Sequence, residues 1–199
     1  MTYDLTDAHG YPDHWETSAL WHNKLSVHFG YPSHGWTLLS LLGSYNGSLV
    51  IHLSEVFDPF DRMLDWLKAI DAGQLPATLL INEEGSYKEL VIKPYAGRFA
   101  QCSDIEFRVT GDCWNEQQHQ TEQTCYFLSR GTRSQVLGEF CRRLEGWLRE
   151  DYHPPDWDDR DGDSWDEAED GPRPNLRRTL DLQWLRKTAA ANLTPGKVY

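Results

Sequence analysis

Basic residues are scarce: 19 Lys and Arg stand against 31 Asp and Glu, for a net charge of −12 over 199 residues. Most of such a surface repels a phosphate backbone, which argues against nucleic acid as a ligand. Long apolar runs are missing as well. The longest, 36–42, is far below the roughly 18 residues that span a bilayer. Residues 1–10 carry Asp4 and Asp7 and have neither the basic nor the apolar region that opens a secretory signal. The expectation is a cytoplasmic protein with no membrane partner. Only four cysteines occur, Cys102, Cys113, Cys125 and Cys141, spaced 11, 12 and 16 apart. None forms the close pairs of zinc ribbons and fingers, so free thiols packed as small apolar groups are expected. Neither a Gly-x-Ser-x-Gly elbow nor a phosphate-binding glycine loop is present, so the sequence offers no catalytic residue and implies no cofactor.

What is present is enough to fold. With 39% hydrophobic and 25% charged residues, a collagen, a coiled coil and a fully disordered chain are excluded, and the length favours one domain with an appendage. Short alternating segments at 25–29, 36–42 and 48–53 read as strands, the last two joined by a turn at 43–47. Asp58 is placed to cap a helix with Pro59 in its first turn. Phe60, Met63, Leu64, Leu67 and Ile70 then recur at helical spacing until Gly73. Further strands are expected at 77–81, 89–92, 105–109 and 123–128, with a polar loop over 115–122. Thr132 and Gln135 form a capping box ahead of a second amphipathic helix running through Leu148. The fold expected is α+β, an antiparallel sheet of six or seven strands covered on one face by two helices.

The character changes after residue 149. Residues 150–171 hold 11 acids against the single base Arg160, a local net of −10, whereas 1–149 sum to −7 and 172–199 to +5. The organisation expected is an N-terminal segment over 1–21, the α+β domain over 22–153, an acidic linker or docking segment over 154–172, and a C-terminal helix and tail over 173–199. That helix is expected to start near Asn175, carrying Leu176, Leu180, Leu182, Trp184 and Leu185. It would dock on the core or on a partner.

The acidic stretch sets Trp157 and Trp165 among Asp156, Asp158, Asp159, Asp161, Asp163, Asp166 and Glu167. As a docking surface, its aromatics supply desolvated contact area and its carboxylates accelerate encounter with a basic partner. The plain alternative is a solvated linker whose like charges repel. A calcium loop using Asp159, Asp161, Asp163 and Asp170 fails at its sixth position, where Ser164 replaces the required glycine. Six histidines crowd the first 52 residues, His9, His14, His22, His28, His34 and His52, without the i, i+4 spacing of a helical zinc site. They are expected to be structural. Glu83 and Glu84 at a hairpin tip, with Glu55 and Asp58 before the first helix, bring a carboxylate pair to mind. Tip acids are, however, expected to face water, and acids before a helix to serve as caps.

Three segments occur in order: Gly35, Trp36, Thr37, Leu38; then Ser54, Glu55, Val56, Phe57, Asp58, Pro59, Phe60; then Glu83, Glu84, Gly85, Ser86, Tyr87. Together they resemble small bacterial proteins of unassigned function, some of which look like immunity proteins of polymorphic toxin systems. The resemblance covers about residues 25–153. It departs at the tip, where Glu84 replaces a proline and Ser86 a second acid. It implies a cofactor-free binding protein that occludes a basic toxin, a nuclease being the attractive case because carboxylates along an extended segment can occupy a groove built for phosphates. The expected function is therefore a non-enzymatic inhibitor of a basic protein. An adaptor or structural subunit using the C-terminal helix, and a hydrolase with an unrecognised site, are the alternatives.

Overall fold

The structure, a computed structural model, describes residues 25–43, 47–96, 104–115, 120–152 and 180–192. In chain order its elements are β1 (Ser26–Phe29), β2 (Trp36–Gly43), β3 (Gly47–Ser54), α1 (Phe60–Asp71), β4 (Ala77–Asn82), β5 (Tyr87–Pro94), β6 (Ile105–Asn115), β7 (Gln120–Gly131), α2 (Arg133–Glu150) and α3 (Leu182–Asn192). The fold is α+β, and every strand pairing is antiparallel between sequence neighbours. The seven strands divide into a first sheet, β1-β2-β3, and a second, β4-β5-β6-β7. The division falls where α1 interrupts the succession of hairpins, so β3 and β4 never share a tight turn.

Both sheets turn their apolar alternation inward against α1 and α2. Val27, Phe29, Leu39, Leu41, Ile51 and Leu53 of the first sheet join Leu79, Ile81, Leu90, Ile92, Phe107 and Phe127 of the second in one buried cluster. Aromatic rings bind the layers. Phe60 of α1 stacks on Trp147 of α2 at 4.9 Å, and Trp66 of α1 meets Phe140 of α2 edge-on at 5.3 Å, geometries that contribute beyond area alone. Trp147 also donates its indole N–H to Gly30 O at 2.7 Å, tying α2 to the strand-to-strand turn of the first sheet. Where β2 ends, Gly43 lies against Phe127 of β7. A Cβ at Gly43 would come within 2.7 Å of the Phe127 ring, so this position has room for no side chain.

Helix ends follow local chemistry. The helix proper is counted from Phe60 with Pro59 as the N-cap, and the Asp58 carboxylate makes the expected capping bond, accepting from Phe60 N two residues on at 2.8 Å. At the other end Gly73 takes φ +73°, with Gln74 N donating to Ala69 O and Gly73 N to Ile70 O, the paired bonds of a left-handed glycine cap. The capping box of α2 is present in both directions between Thr132 and Gln135. The expected start near Asn175, with Leu176, lies outside the described residues; among the described residues α3 begins at Leu182, where the Asp181 carboxylate accepts from Trp184 N.

Strand ends reach beyond the expected bounds. β5 begins at Tyr87, and β6 and β7 continue their ladder until Asn115 opposes Gln120. Asn115 and residues 120–122 of the polar segment expected as loop are thus strand, because backbone pairing is indifferent to whether a side chain is apolar, and 116–119 lie outside the described residues. A bulge between Val109 and Thr110 leaves Tyr126 as the extra residue, its hydroxyl donating to Asp112 O at 3.1 Å.

Candidate functional site

Asp156, Trp157, Asp158, Asp159, Asp161, Asp163, Trp165, Asp166 and Glu167, together with the calcium-loop residue Asp170, lie outside the described residues. The residues on either side of this stretch are firmly held. Tyr152 is buried against Trp147, ring to ring at 5.3 Å, and donates its N–H to Trp147 O. Leu180 is buried, α3 covers α2 with Leu185, Thr188 and Ala189, and Arg186 reaches Glu145 at 2.8 Å. The C-terminal helix thus spends its apolar face on α2.

The first sheet has two edges, and on each a carboxylate takes one backbone N–H. On the β3 edge, His52 N points away from β2 and donates to Glu83 Oε1 at 2.8 Å, while Glu83 Oε2 takes Lys88 Nζ at 2.9 Å and Ser86 Oγ at 2.9 Å. Glu84, at φ +54°, accepts from Ser54 Oγ. The expectation that the tip acids face water is corrected for Glu83, which reaches across to β3 because an edge N–H without a strand partner is a better destination than solvent for a half-buried carboxylate, whereas Glu84 is exposed as expected while it accepts from the Ser54 hydroxyl. On the β1 edge, Val27 N donates to Glu139 Oε1 at 3.3 Å, and Arg142 and Arg143 hold the same carboxylate from α2. Burial pushes the Glu83 and Glu139 carboxyls up. The peptide N–H and the cations outweigh it and hold both below the ordinary range. Glu55, the other acid weighed, lies over Gly35 and donates its backbone N–H to Gly35 O at 2.8 Å.

Between these two edges the first sheet presents its outer face. The register puts Leu38 opposite His52, Ser40 between His28 and Val50, and Leu42 between Ser26 and Ser48. Leu38, Leu42 and Val50 are therefore diagonal neighbours, and they are 39, 49 and 45% exposed. Trp36 extends the row and meets His52 edge-on at 6.3 Å. No outward side chain of β1, β2 or β3 is Asp, Glu, Lys or Arg. The sequence carries a signal for this that strand periodicity alone does not register: residues 25–54 contain none of these four types, in a chain where 25% of residues are charged. No family model, curated protein or solved structure matches the chain.

The second sheet is built differently. Glu106 is only 3% exposed and stands mid-rank, with Lys93 directly across on β5 and Arg130 across on β7. Its oxygens meet Arg108 Nε at 2.6 Å, Lys93 Nζ at 3.2 Å and Arg130 Nε at 3.2 Å. Burial raises the Glu106 carboxyl. Hydrogen bonding and charge from Arg108, with Arg130 and Lys93, overcome that and lower it. Nearby, burial pushes the Cys125 thiol up, and the fully enclosed Cys141 thiol rises to about 12, which keeps it an unreactive apolar filler. Among the described residues no group of three or more His, Cys, Asp or Glu is placed to hold a metal ion. His28 and His52 face outward on the first sheet, and His34 contacts Ser33 Oγ at 2.8 Å in the turn before β2. Among the described residues no helix is long and apolar enough to cross a membrane.

Proposed function

We propose that this chain is a non-enzymatic binding protein that occupies a basic protein partner, as an immunity or inhibitor protein occupies a toxin. The observation that carries the reading is the concentration of charge: a net of −10 over 150–171, with Trp157 and Trp165 among the carboxylates. The flanking anchors support it. Tyr152 and Leu180 are each buried in the same core, so an acidic strip starting and ending on one rigid body loses less freedom on binding than a free tail of equal length. The contacting residues are Asp156, Trp157, Asp158, Asp159, Asp161, Asp163, Trp165, Asp166 and Glu167. The carboxylates set the rate and selectivity of encounter, and the indoles supply the contact area that slows release.

The test is a pull-down from the native host eluted with a salt gradient, followed by association kinetics on the captured partner. Replacing Asp158, Asp159, Asp161 and Asp163 with Asn should lower the on-rate more than it raises the off-rate, with thermal unfolding unchanged. A complex indifferent to salt, or one that keeps its on-rate in the variant, overturns the proposal.

A further inference from the structure

We infer that Lys93, Arg108 and Arg130, on the outer face of the second sheet, form a binding site for a dianionic phosphate group. Four observations carry this independently of the partner reading. The first is an imbalance of charge. The three cations gather on the single acid Glu106, at 3.2, 2.6 and 3.2 Å, which leaves an excess of two positive charges. The adjoining rank of Val91, Arg108 and Leu128 holds no acid, Asp104 is occupied by Arg133 N at 2.7 Å, and Glu89 stands opposite Thr110, about 13 Å along β6. The chain's acids further off are screened beyond about 8 Å at physiological salt. The second is which charges meet solvent. The Glu106 side chain is 5% exposed, and those of Lys93, Arg108 and Arg130 are 44, 31 and 28%. The acid lies beneath its cations, so an approaching ion meets a positive surface.

The third observation is spare donors. Arg108 and Arg130 each give Glu106 only the Nε–H, and neither makes another hydrogen bond among the described residues. Both guanidinium ends keep the paired Nη groups that grip an oxyanion at two points. The fourth is rigidity. Lys93 Nζ and Arg108 Nε share one oxygen of Glu106 and stand within about 6 Å of each other. The Arg130 guanidinium lies over the Tyr95 ring at 4.7 Å. Like charges already gathered gain from an anion between them, and little side-chain freedom is left to lose. A phosphate group brings about two negative charges and three acceptor oxygens, one for each cation, whereas a carboxylate brings a single charge and cancels only half of the excess.

The experiment uses the full chain with isotope-labelled arginine, titrated by NMR with inorganic phosphate, O-phosphoserine and acetate near neutral pH at constant ionic strength. The Nε–H resonances of Arg108 and Arg130, assigned by their loss in Arg108→Lys and Arg130→Lys, should move and saturate with both phosphates. Acetate should bind at least about fivefold more weakly. Tighter binding of inorganic phosphate assigns the site to the free ion, and tighter binding of O-phosphoserine to a phosphate carried on a larger molecule. Lys93→Gln should weaken phosphate about fivefold, the worth of one exposed ion pair. Arg142→Gln removes a comparably exposed cation from α2 and should leave the affinity unchanged. Resonances that follow ionic strength alone, an unaltered affinity in Lys93→Gln, equal weakening in Arg142→Gln, or acetate as tight as phosphate each overturn the inference. Should either arginine variant fail to fold, the ratio of affinities between the wild type and Lys93→Gln decides alone.

Discussion

The two sheets share a core and differ in what they turn away from it. The second sheet faces outward with Lys93, Glu106, Arg108 and Arg130, and its buried acid has a cation on either side and one along its own strand. The first faces outward with serines, histidines and large apolar side chains and has no formal charge there. One face is complete in water because its polar groups satisfy one another. The other has a carboxylate on one N–H of each edge and an open face, so strand addition is discouraged while side-chain packing is invited. Charge on the first sheet is confined to its borders, where Glu83 and Glu139 take edge N–H groups.

The largest effect that would break this contrast is on Glu106. Glu106→Gln leaves Arg108, Arg130 and Lys93 with no neutralising acid, and should cost about 2–3 kcal/mol in urea unfolding at neutral pH. The cations are partly exposed, which keeps the figure below that of a fully buried pair. The pH dependence has a definite sign. Glu83, Glu106 and Glu139 are all lowered in the folded state. Their stabilisation is therefore complete above the unfolded carboxyl value and lost as pH falls from about 4.5 through the lowered folded values. Glu106→Gln should flatten that acid limb, and substitutions on the outer face of the first sheet should leave it unchanged. An unaltered acid limb in Glu106→Gln would mean the carboxyl is not held low.

Elements were legible in the sequence where a local rule acts alone. The capping box at Thr132, the glycine stop at Gly73 and the alternation of Ile105, Phe107 and Val109 each follow from chemistry within a few residues. What could not be read is set by distance in space. Glu106 looks outward and wet in its strand, and only the register brings Lys93 and Arg130 beside it. Glu83 looks like a solvated tip, and only the meeting of the β4-β5 hairpin with β3 supplies His52 N. The uncharged stretch 25–54 was visible in the sequence, yet which of its apolar residues lie outside depends on the pairing of β2 with β3.

Next in size is the joint between the sheets. Gly43→Ala places a methyl against the Phe127 ring, within 2.7 Å, and should destabilise by about 1–3 kcal/mol through overpacking. A loss below about 0.5 kcal/mol, the range of ordinary surface substitutions, would show that the sheets slide freely at this point. Glu83→Gln is smaller. It keeps an acceptor for His52 N but removes the charge facing Lys88, and should cost about 1 kcal/mol. Increased hydrogen exchange at the His52 amide is the local readout, and an amide as protected as in the wild type would separate Glu83 from the edge.

The finest distinction comes from making one substitution on both sheets. Leu42 on the first and Leu80 on the second are 49 and 45% exposed, and both are outward strand positions. If exposure were the whole account, Leu42→Ser and Leu80→Ser would cost the same to within about 0.5 kcal/mol. If another apolar surface covers the first sheet, Leu42→Ser also removes apolar area from under that cover and leaves a hydroxyl there. It should then cost about 1 kcal/mol more than Leu80→Ser. The comparison is read from denaturant midpoints at equal m-value, which cancels strand propensity and most unfolded-state effects between the two variants. Equal costs would leave the uncharged face open to water, and the contrast between the two sheets would then be one of composition alone.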